Sequence, residues 1–254
     1  MTEPAPAAER WRLLAERHVL LDGFHALKHA LRFGAEVPLA LAASRATALE
    51  LAERLAPDLV DRLAGSLVEV TPQALRGLVG RPHPTGVAAL AVPAPARPAG
   101  LPPAAERPAP LVVLDEPRQL GNVGAVVRLA AGVGAAGVLT TGTVDPWHPA
   151  VLRASAGLHY ALPVGRVTVP ELPAGPLFAL DPAGDDLRGL SLPPGSLLAF
   201  GSERAGLTDA LRAQADALVA LPMRPAVSSY NLATSVAMAL YHWLAAQPPG
   251  AAPE

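Results

Sequence analysis

The chain has 254 residues, 51% hydrophobic and 17% charged, with a mean hydropathy of +0.30; that is ample material for a core and excludes global disorder. Twenty basic against twenty-two acidic residues give a net charge of −2, so no uniformly basic nucleic-acid footprint exists. The absence of cysteine removes disulfides, thiol nucleophiles and cysteine-bound metal centres. No long apolar run escapes charge or proline, and Met1-Thr2-Glu3-Pro4 is no signal peptide, so a soluble cytoplasmic protein is expected.

Residues 1–9 read as a disordered tail and residues 10–91 as a small α/β domain. In that domain Gly23 precedes the amphipathic stretch FHALKHALRFG, which Gly34 ends. Pro38–Ala43 reads as a short strand, Thr47–Ala64 as a helix broken near Pro57, and Ser66–Val70 as a strand. Thr71 and Pro72 form a cap followed by Pro at the first helical position, opening a helix to Val79. Gly86–Val92 is a further strand. The Pro-dense segment 92–110 cannot hold a helix and reads as a semi-rigid linker.

Residues 111–247 form the second domain, with 248–254 as a disordered tail. LVVLD (111–115) is a continuous apolar run, as a parallel strand covered on both faces requires. A helix from about Asn122 to Gly132 follows, then a strand at Gly137–Thr141 and a helical stretch at His148–Gly157. LFALD (177–181) and LLAFG (197–201) are buried strands; Thr208–Ala215 is a helix, Ala217–Met223 a strand, and Ser229–Ala246 the C-terminal helix. This alternation predicts a mostly parallel sheet with helices on both faces.

Ligands of such sheets bind beyond the carboxyl ends of the strands. The segments following LVVLD, LLAFG and ALVALPM hold most of the Gly, Ser, Asn, Glu and Arg of this Ala/Leu/Val-rich domain. Gly121-Asn122-Val123-Gly124 lacks the third glycine of a dinucleotide fingerprint. Lys28 is the single lysine, so no lysine-dependent phosphate loop exists in this domain; the available cation is arginine, the better bidentate partner. The seven histidines show no metal-ligand spacing, and no metal is expected.

Taken together, Asn122-Val123-Gly124-Ala125-Val126-Val127-Arg128, Gly201-Ser202-Glu203-Arg204-Ala205-Gly206-Leu207, and Leu221-Pro222-Met223 with Ser229-Tyr230-Asn231 resemble the three motifs of the SpoU/TrmH family of SPOUT-class RNA ribose 2′-O-methyltransferases. Between them, Arg153, Ser155 and Gly157 resemble the family's R-x-S-x-G segment. The resemblance covers about 111–246, and more softly residues 10–91, where LLDGFHALKHAL and TGVAAL are similar to the family's RNA substrate-binding domain. Departures stand at Leu129, Arg204 and Tyr230, where the family has Thr, Gly and Leu.

The resemblance implies a trefoil-knotted SPOUT fold and S-adenosylmethionine as cofactor. It also implies methylation of a ribose 2′-hydroxyl in structured RNA, either ribosomal or transfer RNA with ribosomal favoured, and a homodimer joined through the C-terminal domain. It assigns Arg128, Asn122, Glu203, Ser229 and Asn231 to catalysis and Gly201, Leu221, Tyr230, Thr141 and Met223 to the cofactor. A free guanidinium is a poor base, costing roughly 7 kcal/mol to deprotonate at pH 7, so Arg128 is expected to clamp phosphate and stabilise oxygen charge. Plainer readings exist: Arg128 as a solvated helix residue, Asn122 and Ser229 as helix caps, Glu203 as a helix-dipole partner. Leu232, Val236, Leu240 and Trp243 make one stripe that serves either a partner or the chain's own sheet. Rival functions are a non-catalytic RNA-binding or ribosome-assembly protein that keeps the fold, and a nucleotide-dependent oxidoreductase, which the incomplete glycine pattern disfavours.

Overall fold

The computed structural model describes residues 4–93 and 101–248. Part of the expected linker and most of the C-terminal tail lie outside the described residues. The chain forms two compact units: the first combines the described residues up to 93 with Trp147–Ala161, and the second takes the rest. The domain reading 111–247 therefore differs from the structure at 147–161.

The first unit runs α1 (Pro4–Ala15), β1 (Val19–Asp22), α2 (Phe24–Arg32), β2 (Leu39–Ala42), α3 (Arg45–Leu55), α4 (Val60–Ser66), β3 (Leu67–Glu69), α5 (Pro72–Val79) and β4 (Val87–Ala91). Its sheet has the order β1-β4-β2-β3, with β4 antiparallel to both neighbours and β2 parallel to β3. The expected tail at 1–9 is corrected for residues 4–9; residues 1–3 lie outside the described residues. Helix α1 starts at Pro4 and buries Ala7 and Trp11 among Leu39, Leu41 and Leu75, so the segment has apolar surface to anchor it. Side-chain oxygens of Ser44 and Thr71 accept the N–H groups of Thr47 and Ala74 and start α3 and α5.

The second unit contains β5 (Leu111–Leu114), α6 (Leu120–Val133) and β6 (Gly137–Thr140). After α7 (Pro149–Ala154), which belongs to the first unit, come β7 (Val164–Arg166), β8 (Leu177–Asp186), β9 (Leu197–Phe200), α8 (Asp209–Gln214), β10 (Ala217–Ala220) and α9 (Leu232–Ala245). All six strands are parallel in the order β10-β8-β9-β5-β6-β7. Leu111, Val113, Leu139 and Leu197 face the side that α8 covers through Leu211. Val112, Val138 and Leu198, alternate in register, are equally buried, and α6 and α9 lie against β6 and β9. From β5 the chain moves outward through β6 and β7, then returns on the other side through β8 and β9. The crevice between β5 and β9 is thus the topological switch point, where such sheets bind ligands. Among the described residues no helix is long and apolar enough to cross a membrane.

Two further expectations change. The end of the Pro-dense segment is not a free tether: Arg107 is 1% exposed and donates to the carbonyls of Ala174 (2.5 Å) and Gly195 (2.8 Å). Those carbonyls precede β8 and β9, so the guanidinium binds the segment to the amino edge of the sheet. The helical stretch at 148–157 is α7, which packs in the first unit with Leu152 fully buried. There Arg153 pairs with Asp22, and the Ser155 hydroxyl donates to Leu152 O (3.0 Å) and lies 2.8 Å from His159 Nδ1. Gly157 has φ +74°, and a Cβ there would lie 2.5 Å from Ala26 O. The R-x-S-x-G residues thus hold this segment in the first unit.

Candidate active site

At the switch point three loops are stitched by side chains. Glu203 lies in the loop after β9; its Oε1 accepts from Asn122 Nδ2 at 2.8 Å and its Oε2 from the Arg118 N–H at 3.3 Å. Asn122 Oδ1 in turn accepts from Asn231 Nδ2 at 3.2 Å. Asn231 Oδ1 accepts the N–H groups of Ala233 and Thr234 and caps α9. Each amide orientation follows from the last. A carboxylate only accepts, which turns the Asn122 nitrogen toward Glu203 and leaves its oxygen for Asn231. Burial alone would raise the Glu203 carboxyl, but the Asn122 amide and nearby backbone N–H groups outweigh it and hold the group below its ordinary range.

This corrects two capping expectations. Gln119 occupies the cap position of α6 and Asn122 stands within the first turn, its side chain free to serve Glu203. Asn231, not Ser229, caps α9, because its oxygen reaches both exposed amides. Ser229 is exposed beside a cavity of about 500 Å³ at the carboxyl edge of the sheet. Gly201, Glu203, Leu221, Met223 and Tyr230 line the same cavity. Gly201 permits no side chain, since a Cβ would lie 2.1 Å from Gly206 C where the loop folds back. The Tyr230 hydroxyl donates to Pro222 O at 2.9 Å and closes the loop between them.

Two expected site residues lie elsewhere. Thr141 lines a separate cavity of about 550 Å³, and its hydroxyl is engaged: it donates to Asp115 Oδ1 at 2.7 Å and accepts from the Glu116 N–H at 2.9 Å. Arg128 is exposed on α6, and its side chain makes no hydrogen bond or ion pair with any described residue. It does not line the cavity that holds Glu203. The stripe Leu232, Val236, Leu240 and Trp243 is buried within the second unit, so the chain's own packing consumes it.

Sequence reasoning missed three residues. Asp115 is fully buried and accepts from Thr141 and from the Thr208 N–H (2.7 Å), clamping the ends of β5 and β6 to the start of α8. Its signal was an acid closing the apolar run LVVLD. Asp181 and Arg212 line the 500 Å³ cavity as an ion pair at 2.6 Å. They lie 31 residues apart and outside every motif. Among the described residues no cluster of three or more His, Asp or Glu could hold a metal ion.

The model of the SpoU rRNA Methylase family matches residues 109–241, which is half of the chain and includes all three stitched loops. The chain belongs to the SpoU rRNA Methylase family. A 23S rRNA (uridine(2479)-2′-O)-methyltransferase of Streptomyces viridochromogenes is 33% identical over 144 residues, covering 51% of this chain and 50% of that protein. The chain thus spans about half the length of the curated relative it matches. A solved RNA 2′-O ribose methyltransferase is 28% identical with a TM-score of 0.73, covering 96% of this chain and 97% of the other. The SpoU methyltransferase of S. viridochromogenes, solved with AdoMet, shares the fold at a TM-score of 0.75 and 23% identity, over 94% and 96% of the two chains.

The lining of the cavity suits a nucleoside ligand. Leu180, Leu221 and Met223 offer an apolar wall for a base, and Asp181, Glu203 and Arg212 offer charge for polar groups.

Proposed function

We propose that this protein is an S-adenosylmethionine-dependent methyltransferase acting on a ribose 2′-hydroxyl of structured RNA, ribosomal rather than transfer RNA. It works in the cytoplasm as a homodimer, with the trefoil threading that the family resemblance implies. The observation that carries the reading is the hydrogen-bonded line Glu203–Asn122–Asn231, which joins one residue from each family motif and meets a nucleoside-sized cavity at Glu203. The 2′-O-methyltransferase names of the relatives support it.

The cofactor, when bound, supplies a sulfonium methyl open to in-line attack. The ribose oxygen forms the new C–O bond as the C–S bond breaks with its electrons on sulfur, and the hydroxyl proton passes to water. The protein's part is to hold the hydroxyl in line and to stabilise charge on oxygen. Asn122 is held rigidly by Glu203 and Asn231 at the place where the ribose arrives. Ser229 and Tyr230 border the cavity. Arg128, exposed and unpaired on α6, is the cation that meets phosphate or the developing oxyanion. It lies outside its own cavity, so we assign it to the site of a second copy, brought there by the outward faces of α6 and α9, where Tyr241 is 68% exposed. The first unit receives the RNA.

The test is incubation of the protein with methyl-labelled cofactor and either ribosomal or transfer RNA, followed by mapping of the protected ribose. Calorimetry that finds no cofactor binding, with or without RNA, overturns the reading.

A further inference from the structure

The 500 Å³ cavity contains two carboxylates, and their states differ. Glu203 spends its oxygens on Asn122 and the Arg118 N–H, inside the stitched loops. Asp181 stands one residue beyond the last β8–β9 pair, Leu180 opposite Phe200, at the carboxyl edge. Its side chain is 10% exposed, yet it lines the cavity. Oδ2 faces Arg212 Nη2 at 2.6 Å and Oδ1 accepts the Ala183 N–H at 2.9 Å. These two contacts fix the carboxylate plane and balance its charge. An ionised carboxylate has about four acceptor positions, so one remains on each oxygen. The neighbouring wall is apolar, from Leu180, Leu221 and Met223.

We propose that Asp181 is a specificity residue for the cofactor, accepting hydrogen bonds from the two ribose hydroxyls of S-adenosylmethionine with its two oxygens. A fixed acceptor-only group beside an apolar slot complements a nucleoside: the slot takes the base and the carboxylate takes the vicinal diol. Hydrogen bonds to a charged acceptor are the strong kind, and a buried acceptor left unmatched penalises a ligand that lacks the donor. Arg212 acts behind Asp181 as a positioning residue. The proposal rests on the reading that this cavity takes S-adenosylmethionine.

The test is calorimetric titration of the full chain with S-adenosylhomocysteine and with its 2′,3′-dideoxy analogue. The unaltered protein is expected to bind the ribose form at least tenfold more tightly. Asp181→Asn should lose that preference, weakening the ribose form tenfold or more while leaving the dideoxy form nearly unchanged. Arg212→Met, which keeps the carboxylate, should retain most of the preference. Equal binding of both ligands by the unaltered protein overturns the proposal without any variant, as does an Asp181→Asn protein that loses affinity for both equally. Binding of neither ligand by the unaltered protein instead overturns the cofactor reading itself.

Discussion

Asn231 uses both ends of one amide: its oxygen caps α9 while its nitrogen donates to Asn122 at 3.2 Å. The C-terminal helix and the first-motif helix are therefore set by the same side chain. Asn231→Asp keeps the cap, since a carboxylate accepts the same N–H groups, but it loses the donor and faces the Asn122 oxygen. Thermal unfolding should change by little while turnover falls about tenfold or more, as for one hydrogen bond lost from a site. A variant with full turnover shows that the amide bridge is dispensable.

Arg128→Ala should reduce turnover on the order of 10²-fold or more, as for loss of an oxyanion donor. Its folding temperature should not move, because the side chain is exposed and unpaired. Arg128→Lys should fail as well, because a point charge does not replace a planar fork. Single-turnover rates near those of the unaltered protein rule the role out.

Glu203 links the site to pH. Its carboxyl is held below the ordinary range, so the folded state favours the ionised form. The stability this contributes is complete above the unfolded value, about 4.3. It is lost as pH falls through the lower folded value. Glu203→Gln should therefore unfold at a lower temperature than the parent near neutrality, with the gap closing below about pH 4. Melting curves between pH 3 and 7 check this; a gap that widens on acidification contradicts it.

Tyr230→Phe keeps the ring and removes the bond to Pro222 O. The loop from Pro222 to Tyr230 is largely exposed and holds Ala226 at φ +69°, so little else fixes it. Cofactor affinity should fall about fivefold, the worth of one net hydrogen bond, with amide exchange rising at residues 224–229. Unchanged affinity means that the phenol does not organise the cavity wall.

Gly157→Ala tests the structural reading of the R-x-S-x-G segment. Its left-handed backbone and the contact with Ala26 O leave no room for a methyl group. The loss should be about 1–3 kcal/mol or more, measured by urea unfolding. Unaltered stability contradicts the packing described.

The second unit was legible because a parallel sheet buried on both faces writes itself as plain apolar runs, such as LVVLD and LLAFG. The motif residues were legible as polar islands after those runs. The first helix was hidden by prolines and alanines, although Trp11 carried the clue. Strands β1 and β7, four and three residues long, were too short for periodicity to speak. Arg107 sits in a segment read as a linker and Asp181 closes a run read as a buried strand, and their partners are distant in sequence. Nor could spacing show that Arg128 fails to line the cavity: position along a helix is local, but what a residue borders depends on what the helix packs against.

The membership of Trp147–Ala161 in the first unit has a consequence for synthesis. A nascent chain that has emerged only through β4 lacks Trp147 and Leu152, two members of the core it is meant to build. That core closes after β5, α6 and β6 have already left the ribosome, so the two units mature interleaved rather than in succession. Truncation between them likewise strips side chains from one unit while trying to isolate the other.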